Sequence, residues 1–293
     1  MLGASAPDLP GAREKVIRAA ELLLPLQRRA SVESMFGDMY FEALQHVVTA
    51  YKATAPDLAA APAAELDAAR SLEDVLRDYE NPNYGSPDIV EKKLRPAIER
   101  SIAAVGKESP HLVDFFYLTF RNAREGAGLE LVAVDRLFEL LGDRSPSAIE
   151  FAARIVRRYS QSIYGSHISE GQAFRLGMRI LPAAEQVFGA RDRVTQDIVA
   201  AIIGPALKLA NDADRQNLLQ KSEQMDLSPD WNLRSALLAS GARQPALRMA
   251  WQTVRKDLRL ALSLDSYELI SILGERRTSP PMQKNWTPLG RED

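Results

Sequence analysis

Ile198-Val-Ala-Ala-Ile-Ile-Gly-Pro-Ala-Leu207 is a run of ten residues without a charge or a hydrogen-bonding side chain, closed by Asp197 and Lys208. A surface helix shows one apolar stripe. This run is apolar all round, which predicts a helix covered on most sides. It is too short to cross a bilayer, which needs roughly 20 apolar residues. Pro205 removes a backbone donor inside it, so a kink or break is expected at Gly204-Pro205. The neighbouring helices are expected to pack around this element.

Outward from that run, the chain reads as helix after helix. Ser86-Pro87, Ser109-Pro110, Ser145-Pro146 and Ser228-Pro229 each precede an apolar-periodic segment, with Gln244-Pro245 as a partial fifth. Serine caps a free backbone N–H, and proline at the first helical position has no N–H to leave unsatisfied. The predicted helices are 87–105 (disturbed at Pro96), 110–124, 128–141, 146–164, 169–188, 193–209, 212–224, 229–240, 245–262 and 265–274. Gly106, Gly126, Gly142, Gly165, Gly189 and Gly241 stand where C-caps belong.

Before residue 86 the punctuation is weaker. Helical spacing begins near Gly11, with Val16, Ala19, Ala20, Leu23 and Leu24 inward and Arg13, Lys15 and Arg18 outward. Pro25 is expected to break or bend this segment. Ser31 reads as the N-cap of a second helix running to about Ala53. Ala55–Ala64 reads as an exposed Ala/Pro connector, followed by a helix from Ala64 to Tyr79.

No stretch alternates in the β manner. The fold expected is all-α: about a dozen antiparallel helices, as an irregular HEAT-like superhelical stack of helix pairs or as one or two bundles. The divisions expected are a flexible leader at 1–10, an N-terminal helical subdomain at 11–80, a main helical domain at 86–274 and an extended tail at 275–293. Within the main domain, Leu238-Ala-Ser-Gly-Ala-Arg-Gln-Pro-Ala-Leu-Arg-Met-Ala-Trp-Gln-Thr-Val-Arg-Lys-Asp257 is similar to a helical-repeat segment in the C-terminal domain of M1-type aminopeptidases. The similarity covers no catalytic residue, and the zinc motif of those enzymes is missing. It implies helix-pair stacking and nothing about peptidase activity.

The formal charge is −2, but it is unevenly spread. Residues 1–150 hold 17 basic and 24 acidic side chains, and residues 151–293 hold 20 and 15. The chain is acidic in its first half and basic in its second. With no cysteine, disulfides, thiolate metal sites and cysteine nucleophiles are excluded. His46, His111 and His167 lie in separate elements, none at zinc-helix spacing. There is no GxSxG elbow, Walker A loop or GxGxxG. No cofactor, metal site or catalytic residue is therefore expected. The N-terminus has no secretory signal pattern. The expected setting is the cytoplasm, or export without a cleavable signal, and the Ala/Arg-rich composition points to a GC-rich bacterial genome.

The basic second half supplies the candidate binding residues. Arg154, Arg157 and Arg158 fall opposite the apolar stripe of the 146–164 helix, and Arg175 and Arg179 follow on the next. Arg248, Arg255, Lys256 and Arg259 flank Trp251. Trp286, in the Pro-rich tail, is a candidate anchor that packs back or meets a partner. Arginine binds phosphate or carboxylate bidentately and is also a good helix former that solvates exposed positions. Three functions fit: a non-enzymatic interaction module for a partner protein (an adaptor, regulator or exported effector), a nucleic-acid or phosphate binder using the arginine surface, and an enzyme with a dispersed active site.

Overall fold

The structure is a computed structural model that describes residues 11–33, 39–80, 87–122, 129–161 and 168–225. Ten α-helices lie among these residues: α1 Ala12–Glu33, α2 Met39–Thr54, α3 Ala60–Glu80, α4 Pro87–Val105, α5 Leu112–Asn122, α6 Leu129–Leu141, α7 Pro146–Gln161, α8 Glu170–Val187, α9 Arg193–Leu209 and α10 Asp212–Gln224. A 3-10 turn, Pro56–Leu58, joins α2 to α3, and the described residues hold no strand. The fold is all-α. The expected helices 229–240, 245–262 and 265–274, the tail, and the segment resembling the aminopeptidase repeat lie outside the described residues.

The helix starts and stops follow local chemistry in most places. Pro146 opens α7, and Ser145 Oγ accepts from the Ala148 N–H at 3.4 Å. Asp192 and Asn211 cap α9 and α10 by accepting from Val194 and Asp214. Gly106, Gly142 and Gly189 have φ of +98°, +92° and +95°, the left-handed conformation that ends a helix. Several starts differ from expectation. Ser109-Pro110 makes a turn in which Ser109 Oγ accepts from His111, and α5 begins only at Leu112. α8 begins one residue later than expected, at Glu170, with Ser169 as its cap in a reciprocal capping box with Gln172.

The prolines do not break their helices. α1 runs through Pro25, α4 through Pro96 and α9 through Pro205. Pro25 and Pro96 are exposed, so the carbonyl each frees faces water and not the core. Ser31 is not an N-cap but sits fully buried in the last turn of α1. The Ala55–Ala64 connector is mostly exposed, as expected, with only Ala55 and Ala59 buried, but it is shorter than expected because α3 begins at Ala60. Alanine is the best helix former, and Pro62 falls in the first turn, where its missing N–H breaks no intrahelical bond.

The expected spine is buried as read. Ile198, Val199, Ala201, Ile202, Ile203 and Ala206 of α9 are all at most 3 % exposed. α9 packs on α7, α8 and α10. The odd-numbered helices meet in succession, α3 on α5, α5 on α7 and α7 on α9. One apolar cluster extends from α3 to α10. A second, of Tyr40, Leu44, Val48, Leu66 and Leu118, lies under α1 and α2. α3 lends Leu66 to this second cluster and Leu72 and Leu76 to the first. Tilted and edge-to-face rings also join α2, α5 and α7, through Tyr40, Phe41, Phe115, Phe116 and Phe151.

α8 and α9 approach each other closely at Gly177. A methyl group at Gly177 would overlap Cγ2 of Ile202. Gly177→Ala is therefore expected to destabilise the protein by about 1–3 kcal/mol, the usual cost of overpacking. Combined with Ile202→Ala it should cost less than the sum of the two single changes, because each relieves the other. Urea denaturation of the three variants measures this, and simple additivity would show that the helices are not in contact there.

Candidate functional site

Among the described residues, four of the five arginines expected on a binding surface are braces between helices. Arg154 donates to Asp114 of α5 at 2.7 Å and to Glu150 of its own helix at 2.8 Å. Arg157 donates to Asp197 of α9 at 2.7 Å, and Arg158 lies 3.7 Å from Glu130 of α6. Arg179 donates to Asp135 of α6 at 2.5 Å. The residue separations of 40, 40 and 44 for Arg154, Arg157 and Arg179 are those of helices two apart in order. Arg175 is exposed on α8. Arg248, Arg255, Lys256, Arg259 and Trp286 lie outside the described residues.

The pairs of α7 are partly sheltered, whereas Arg179 and Asp135 are each about half exposed. Arg154 and Asp114 expose 24 % and 23 % of their side chains, and Glu130 exposes 5 %. Burial lifts the Asp197 carboxyl above its usual range despite Arg157 and Arg193 nearby. Such a pair orients two helices more than it strengthens the fold, because desolvation offsets most of the Coulomb gain.

A second polar group, unforeseen from the sequence, lies under α1. Arg28, 9 % exposed, donates to the Tyr40 hydroxyl at 2.6 Å, and that hydroxyl donates to Glu65 Oε1 at 2.5 Å. Burial, followed by the Glu65 carboxylate, pushes the Tyr40 phenol well above its ordinary value. Arg28 also bears on His111, whose imidazole is held below its usual range, first by burial and then by this cation. The trio joins α1, α2 and α3 at one point.

The ends of α1 are fixed as well. Arg13 makes a bidentate pair with Asp57, both bonds 2.7 Å. The carbonyl of Ser31 accepts from Arg121 of α5. With Val16, Ala20, Arg28 and Ser31 buried, the opposite face of the helix is fixed outward. That face carries Leu22 and Leu26, which are 53 % and 66 % exposed and one turn apart. Lys15, Arg18, Arg29 and Glu33 extend it toward both ends, all exposed. The sequence reading passed over Leu22 and Leu26. The signal was present in the run Leu22-Leu-Leu-Pro-Leu26: once Val16 and Ala20 face in, helical spacing turns Leu23 and Leu24 toward the core and leaves Leu22 and Leu26 outside.

Elsewhere, a cavity of about 210 Å³ opens between α8 and α10 beside Glu185, Arg191, Lys221 and Met225. Lys221 there donates to Glu185, tying α10 to α8. Among the described residues no three His, Asp or Glu side chains group as metal ligands do, and no helix is long and apolar enough to cross a membrane. Searches against family models, curated proteins and solved structures return no significant match to this chain.

Removal of Arg28 tests the bracing of α1. Arg28→Met leaves Glu65 largely buried without its cation and is expected to cost about 3 kcal/mol, the lower end for breaking a buried pair. Arg28→Met with Glu65→Met should recover most of that loss, because neither charge is then stranded. Equilibrium unfolding in urea reads both, and a double variant no better than the single would contradict the pairing.

Proposed function

We propose that this chain is a non-enzymatic helical interaction module, and that the outward face of α1 is where another protein docks. The observation that carries the reading is the exposed pair Leu22 and Leu26 on a helix held at Arg13 near its start and at Arg28 and Ser31 near its end. Each leucine, already partly covered, would contribute about 1–2 kcal/mol if a partner covered the rest of it. A helix already held in place loses little further freedom on binding, so more of that gain appears as affinity. The i, i+4 spacing is that of anchors which fit a groove or a second helix.

The phosphate-binding reading has less support. Arg154, Arg157, Arg158 and Arg179 each face a carboxylate of a neighbouring helix, which offsets the positive charge that a phosphate backbone would need. That reading would rest on Arg175 together with Arg248, Arg255, Lys256 and Arg259.

Affinity capture with the full chain at low and high salt, with nuclease in parallel, separates the two. A protein partner should survive nuclease and be lost from Leu22→Asp/Leu26→Asp, with recovery down about tenfold or more, the scale of one or two buried leucines. Recovery of nucleic acid that falls steeply with salt and is indifferent to the leucines would overturn the proposal in favour of the basic surface.

A further inference from the structure

The order of side chains on the outward face of α1 is symmetric about its middle. Lys15 stands seven residues before Leu22, and Glu33 stands seven residues after Leu26. At 3.6 residues per turn, Lys15, Leu22, Leu26 and Glu33 fall in one narrow stripe. All four are exposed. Arg18 and Arg29 stand to one side of the stripe, each beside a carboxylate of its own helix, Glu21 at 3.4 Å and Glu33 at 3.0 Å.

A two-fold interface needs a surface on which residue i meets residue j while j meets i. This stripe meets that condition for an antiparallel partner. Laid against a second α1 about the point between the leucines, Leu22 comes opposite Leu26. The same axis brings Lys15 opposite Glu33 of the other copy, twice. An apolar centre of four leucines would then be closed at each end by one ion pair. Parallel alignment instead sets Lys15 on Lys15 and Glu33 on Glu33, so charge selects the antiparallel arrangement.

We infer that the occupant of this face is a second copy of the chain, docked through antiparallel pairing of α1 with α1. The inference rests on the reading that the α1 face binds a protein, and adds which protein. A contact centred on one helix falls at the small end of interfaces, below about 1,200 Å², so the dimer forms and dissociates with concentration.

Sedimentation equilibrium of the full chain over a wide concentration range tests this. The wild type should show a monomer–dimer equilibrium. Lys15→Glu alone and Glu33→Lys alone should each raise the dissociation constant about tenfold, as two weak attractions become repulsions. The charge-swapped double variant should return to within about threefold of wild type, because the pairs re-form with their signs exchanged. Leu22→Asp should leave monomer throughout. All four side chains are exposed, and circular dichroism and a thermal melt confirm that each variant is folded. A wild type that stays monomeric, or a double variant no better than the singles, overturns the inference. If such a monomer still loses a captured protein on Leu22→Asp, the binding face stands and only the second copy is wrong; if nothing is lost, both readings fail.

Discussion

Helix α7 is held by charge on three sides. Arg154 reaches α5, Arg158 faces α6 and Arg157 reaches α9, while Ile149, Phe151, Ala152, Ile155 and Val156 fill the space below. The apolar face fixes how deep the helix sits. It does not fix its rotation and register, since alanine and isoleucine pack acceptably in more than one setting. The arginines supply that choice, because sliding α7 by a turn would separate several partly buried charges at once. α9 then meets α7 and α8 in one arrangement, with Gly177 of α8 giving Ile202 its room.

The uneven charge of the sequence takes on a different meaning in this light. Arg154, Arg158 and Arg179 come from the basic second half, and Asp114, Glu130 and Asp135 from the acidic first half. At these three pairs the polarity that suggested an external polyanion is complementarity between two parts of one chain. Where the first half presents itself outward, on α1, it offers leucines framed by charges of both signs. This favours a protein as partner over a phosphate backbone.

Local chemistry carried most of the helix positions. α4, α9 and α10 have the limits that Ser-Pro starts, polar caps and glycine stops predict. Errors arose where a local signal meets a tertiary decision. Proline reads as a breaker, yet Pro25 is carried on a solvent face where the lost bond is cheap. Ser31 has the chemistry of a cap, but the packing of α1 on α2 and α5 places it in a buried last turn. Ala55–Ala64 reads as a connector by its prolines, yet its alanines are good helix formers and α3 takes over from Ala60. The ion pairs were out of reach of any local rule. Arg154 is 40 residues from Asp114, and Arg179 is 44 from Asp135. Only the stacking of helices two apart in order brings them together. The α1 face was within reach, through helical spacing applied to five consecutive apolar residues, four of them leucine.

The bracing of α7 is tested most directly by a double-mutant cycle on Arg154 and Asp114, unfolding the wild type, Arg154→Met, Asp114→Ala and the double variant in urea at low and high salt. If the pair registers α7 on α5, the coupling between the two sites is about 1–3 kcal/mol and persists at high salt, because both groups are sheltered. A coupling below about 0.3 kcal/mol, or one that salt abolishes, would mean that the two side chains act independently and that charge does not set the position of the helix.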